Sequence, residues 1–117
     1  MLINKTEFFT TIKPSLQESG KKNENIKNFL KDFNKNLSNF KNENLILDFS
    51  NDINIDLEEI LLFSQHSAVH KKNDNSFVLV YNGMNIDKIP LELVAVPTMK
   101  EAEDIIELEN IERDLGI

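Results

Sequence analysis

The chain has 117 residues, a length that fits one ordinary domain, and its 40% hydrophobic and 28% charged residues favour a packed core over disorder. Its net charge of −7 argues against a nucleic-acid partner, whose phosphates need clustered Lys and Arg, and against docking on an anionic membrane surface. The absence of cysteine excludes disulfides, thiolate metal sites and Cys nucleophiles, and it fits a reducing cytosol.

The segment Met1 to Pro14 is polar after Ile3 and offers no signal-peptide core, and no apolar run approaches the length of a bilayer span. A cytoplasmic location is therefore expected. Within this segment Phe8, Phe9 and Ile12 lie among threonines, which predicts a strand over Thr6 to Lys13 stopped by Pro14. Leu2 to Asn4 offers a second short strand. Ser15 to Asn23 is polar, contains Gly20 and reads as a loop.

Ile26, Phe29, Leu30, Phe33, Leu37 and Phe40 recur at helical spacing, predicting an amphipathic helix over Glu24 to Asn39. The run Asn44 to Ser50 is nearly all apolar and ends on an acid, as a buried parallel strand would. Asp56 and Glu59 then form a capping-box signature for a helix reaching about Lys71. Ser76 to Tyr81 reads as another buried strand, ended by the turn residues Asn82 and Gly83. A helical turn over Ile86 to Ile89 and a strand over Leu91 to Val96 follow. Thr98 and Glu101 give a second capping signature, opening a helix with Ala102, Ile105, Ile106, Leu108 and Ile111 inward. Strands alternating with helices predict one α/β domain over residues 1–117, with a mixed, mostly parallel sheet of four to five strands covered by helices.

Chemistry-bearing residues are few. His66 and His70 stand four apart on one helix, a spacing that can share a metal, but Ser67-Ala68-Val69 lies between them without the glutamate of a zinc protease. Two solvent-facing histidines are the expectation, and a metal site is not. Ser64, His66 and Ser67 lack an orienting acid and an oxyanion hole, so no catalytic residue is assigned, and Ser67 remains only a conceivable phosphosite. Gly83 has no glycine-rich phosphate loop around it, and no cofactor is expected. The carboxylates from Glu101 to Asp114 read as a solvated helix face, with docking of a basic partner as the alternative.

Leu47-Asp48-Phe49-Ser50, Ile55-Asp56-Leu57-Glu58-Glu59, Phe77-Val78-Leu79-Val80 and Glu101-Ala102 together resemble the STAS family, the fold of bacterial anti-sigma factor antagonists. The likeness is best between Leu45 and Glu107. It implies a STAS-like fold and a non-catalytic regulatory module that binds a protein, such as an anti-sigma factor or another regulator; the apolar surface of the first helix leaves a monomer or weak homodimer as the expected state. Residues implied in binding are Asn51, Asp52, Asn54, Asp56, Glu58 and Glu59 at the second helix start, with Asn82, Gly83, Met84 and Asn85 in the following turn. Counted from Leu47-Asp48, the phosphorylated serine of the family falls on Glu58, which cannot be phosphorylated, and its glycine falls on Glu59.

Two readings of Glu58 stand. It is a permanent charge holding one binding state where a phosphate would add about −1.5 to −2. Or it is only a first-turn carboxylate, worth about 0.3–1 kcal/mol against the helix dipole. Two other functions stay open: an accessory protein to a nuclease such as ribonuclease Z, or a small metal-dependent hydrolase using His66 and His70.

Overall fold

The computed structural model describes residues 1–14, 22–50, 55–82, 86–90 and 92–116, with the backbone alone described at 22–25 and 86. Strands β1 (Leu2–Lys5) and β2 (Thr10–Lys13) form an antiparallel hairpin. The strand expected from Thr6 begins only at Thr10, for a local reason. The Thr6 hydroxyl accepts the N–H groups of Phe8 (3.2 Å) and Phe9 (3.1 Å), and the Thr6 N–H donates to the Phe9 carbonyl at 2.8 Å. Such side-chain bonds compete with a strand ladder and build a turn instead. Phe8 stands at its tip, 63% exposed.

Helix α1 (Lys22–Lys35) ends before the apolar spacing does, and Leu37–Asn39 continues as a 3-10 turn. Asn36 marks the end: its side-chain amide donates to the Asp32 carbonyl at 2.8 Å, alongside its backbone N–H at 3.2 Å. Strand β3 (Leu45–Asp48) follows, then α2 (Leu57–Leu61), α3 (Ser64–Lys72) and β4 (Phe77–Val80). A 3-10 turn at Ile86–Lys88, strand β5 (Ala95–Val96) and helix α4 (Met99–Asp114) complete the chain.

The single helix expected from Asp56 to Lys71 is thus two. Leu62 and Phe63 donate to the carbonyls of Glu59 and Ile60, three residues back, which tightens the chain there. The change of direction sends Phe63 into the core while Leu61 and Leu62 stay exposed. Of the expected strand Leu91–Val96, Leu91 lies outside the described residues, and β5 begins only at Ala95, because the Leu93 N–H turns back to the Pro90 carbonyl at 3.0 Å.

The sheet has five strands in the order β1-β2-β3-β4-β5, with β2 to β5 parallel and β1 antiparallel at the edge. β3 and β4 are buried at every position, which is why both read as near-continuous apolar runs. On one face Ile12, Leu45, Leu47, Phe77 and Leu79 pack beneath the first three helices, with Ile26, Phe29, Phe33, Ile60 and Phe63 pointing down. The aromatic contacts there are close, with ring centroids 5.4 Å apart for Phe29 and Phe49 and 5.3 Å for Phe49 and Phe63.

On the other face Ile46, Val78 and Val80 meet Ala102 and Ile106 of α4. Leu108 and Ile111, expected inward, are 56% and 49% exposed. At 3.6 residues per turn the positions below Ala102 and Ile106 fall to Glu109 and Arg113. Those two are used: the Ser76 hydroxyl donates to Glu109 at 2.5 Å, and the Arg113 guanidinium donates to Asn44 (3.3 Å) and Ser76 (3.1 Å). Among the described residues no helix is long and apolar enough to cross a membrane.

Candidate functional site

The parallel strands deliver their carboxyl ends to one edge of the sheet, where ligands of open α/β sheets tend to bind. At the end of β3 the buried Asp48 carboxylate accepts the Ser50 N–H (2.9 Å) and hydroxyl (2.6 Å). This two-residue closure turns the chain out of the sheet. Asn51, Asp52 and Asn54, and likewise Gly83, Met84 and Asn85, lie outside the described residues.

The start of α2 is built as its sequence foretells. Asp56 accepts the Glu59 N–H at 2.9 Å, and the Glu59 carboxylate accepts the Asp56 N–H at 3.2 Å, a complete capping box. Ile55 before the cap and Ile60 after it are both buried in the same core cluster. That pair is the hydrophobic staple that fixes a helix's angle of approach, and its spacing was readable in the sequence. From the neighbouring strand, the Tyr81 hydroxyl donates to the Ile55 carbonyl at 3.0 Å. The helix start is therefore pinned by its cap, its staple and a hydrogen bond from the end of β4.

Glu58 is the second residue of α2 and is exposed. Among the described residues it makes no hydrogen bond or ion pair, so its carboxylate is presented to solvent at the positive end of the helix. Exposed Asp56 and half-buried Glu59 flank it, and exposed Asn82 leaves β4 at the same edge. The arrangement is a negatively charged corner held by these contacts. Tyr81, Ile55 and the Asp48–Ser50 closure belong to it and were missed as site residues, because each acts through a contact distant in sequence or through the backbone.

The histidines are elsewhere and are not both solvent-facing. His70 is 1% exposed, its Nε2 lies 3.1 Å from the Phe40 carbonyl, and its ring packs 5.3 Å from that of Phe77. His66 is half-buried, edge-on to the Phe33 ring at 5.0 Å. Helical spacing put both on one face, and that face packs on the aromatic core. Burial pushes both imidazoles below their usual pKa of 6.5, for His66 with help from His70 and for His70 against the backbone carbonyls of Phe40 and His66. Ser67 is fully buried beneath the Glu92 carbonyl, so it offers no accessible hydroxyl for a phosphate. No group of three or more metal-ligating side chains converges among the described residues. No family model matches the chain, and no curated protein matches it.

Proposed function

We propose that the chain is a non-catalytic, protein-binding regulatory module, akin to an anti-sigma factor antagonist of the STAS kind, whose binding corner carries the permanent carboxylate of Glu58. The observation that carries this reading is Glu58 itself: an exposed acid, without a partner among the described residues, on the second residue of a helix that is capped, stapled and tied to the neighbouring strand. A surface so immobilised loses little entropy on binding, which favours recognition of a rigid partner. The sequential strand order, with a hairpin edge followed by parallel strands, is compatible with the STAS-like reading of Leu47-Asp48-Phe49-Ser50 and Phe77-Val78-Leu79-Val80.

In this reading the module is constitutive. Where a hydroxyl would be switched by phosphate, Glu58 carries a charge that no kinase or phosphatase adds or removes. The partner is a cytoplasmic protein with a basic or hydrogen-bond-donating patch, an anti-sigma factor or comparable regulator. The metal-dependent hydrolase finds no support in the histidine geometry, since the Nε2 of His70 is engaged inside the core. The test is capture from native extract on immobilised protein, comparing the unaltered chain with Glu58→Lys. A partner held by the first and lost by the second supports the proposal. Equal retention by both overturns it.

A further inference from the structure

The two faces of the sheet are covered unequally. Helices α1, α2 and α3 close one face, whereas α4 alone lies on the other and packs on β4 and β5. Among the described residues the hairpin side of that second face is left open. Cross-strand pairing puts Leu2 with Lys13 and Asn4 with Thr11 there. Beside α4 this leaves two adjoining hollows, of about 310 Å³ and 550 Å³, which share Phe9 and Glu103. One begins at Met99 and Asp48, the other ends at Ile111 and Asp114, so the trough follows α4 along its length. A helix of 16 residues is about 24 Å long.

The walls differ in chemistry. Phe8, Phe9, Ile106 and Ile111 give an apolar lining, with Phe8 63% and Ile111 49% exposed. Glu103, Glu107 and Asp114 form a rim of carboxylates on the same flank of α4, at helical spacing. The base lining the trough is Lys13, at its far end beside Asp48. Arg113 is turned away into its bonds with Asn44 and Ser76.

The geometry points to this trough as a second docking site, meeting the Glu58 corner only at Asp48, that takes a basic amphipathic helix of a partner protein. Length, lining and charge each select that occupant. A helix of about four turns laid beside α4 buries its apolar stripe on Phe8, Phe9 and Ile111, as helix-in-groove recognition requires. Lys or Arg beside that stripe meets the carboxylate rim. A second copy of this chain brings the same acidic rim and a net charge of −7, and an anionic lipid surface or nucleic acid is repelled likewise.

The test uses a fluorescein-labelled synthetic peptide of about 16 residues, with leucines at helical spacing on one face and lysines beside them, titrated by fluorescence anisotropy. Binding is expected to weaken at least about tenfold in Glu103→Lys/Glu107→Lys and in Phe8→Ala, and to persist in Leu108→Ala, on the other flank of α4, and in Glu58→Lys. Phe8 is exposed, so its replacement leaves the fold intact, which circular dichroism verifies. The proposal is overturned by an absence of binding, by equal binding of a peptide with serines for the leucines, by binding indifferent to Glu103 and Glu107, or by self-association of the chain that closes the trough.

Discussion

The Tyr81 hydroxyl reaches across from the end of β4 to the Ile55 carbonyl, 3.0 Å away and buried, and so joins the last residue before the α2 cap to the neighbouring strand. Neither residue carries chemistry of its own. Together they decide where Asp56, Glu58 and Glu59 stand.

Removing that hydroxyl in Tyr81→Phe leaves the Ile55 carbonyl buried without its donor. The expected loss is about 1–3 kcal/mol, since an orphaned buried acceptor costs more than the net worth of its bond. Urea denaturation checks it: the midpoint falls while the slope is unchanged, because the surface exposed on unfolding is the same.

Asp56→Ala removes the side-chain acceptor of the capping box and frees the Glu59 N–H, while the backbone N–H at position 56 still donates to the Glu59 carboxylate. The expected cost is about 1 kcal/mol, and at most about 2. Asp56→Asn retains a side-chain acceptor and recovers most of it. Thermal unfolding of the two variants side by side separates the cap from mere loss of charge.

The buried histidines make stability depend on pH with a fixed sign. His66 and His70 are held below their usual value of 6.5, so in the window under pH 6.5 the unfolded chain binds more protons than the folded one. Their contribution is full above 6.5 and is lost as pH falls below it towards the folded-state values. His70→Gln keeps a donor for the Phe40 carbonyl and removes the titration, so the acid-side slope flattens. Urea midpoints over about pH 5 to 8 measure it; an unaltered slope contradicts the assignment.

Much of this architecture was legible beforehand, and for identifiable reasons. Leu45–Leu47 and Phe77–Val80 announce buried parallel strands because both faces of each are covered. Asp56 with Glu59 and Thr98 with Glu101 announce helix starts because capping is a local hydrogen-bond pattern. The failures are tertiary or chemically ambiguous. No Gly or Pro marks the break at Leu62 and Phe63; the aromatic core that receives Phe63 is assembled from distant segments. Thr6 favours a strand by type, yet its hydroxyl closes a turn. His70 suits solvent or core equally, and its choice depends on the Phe40 carbonyl, thirty residues away. At α4, Glu109 and Arg113 occupy inward positions that apolar periodicity assigns to Leu108 and Ile111, because Asn44 and Ser76 offer them partners.

Amide hydrogen exchange on the chain with and without its captured partner tests the binding corner most directly, because it reports which backbone is covered. Slowed exchange at Leu57 to Leu61 and at Phe49 and Ser50, lost when Glu58→Lys replaces the unaltered chain, is the predicted result. Protection confined to other elements, or protection at α2 that is indifferent to the charge at position 58, would contradict it.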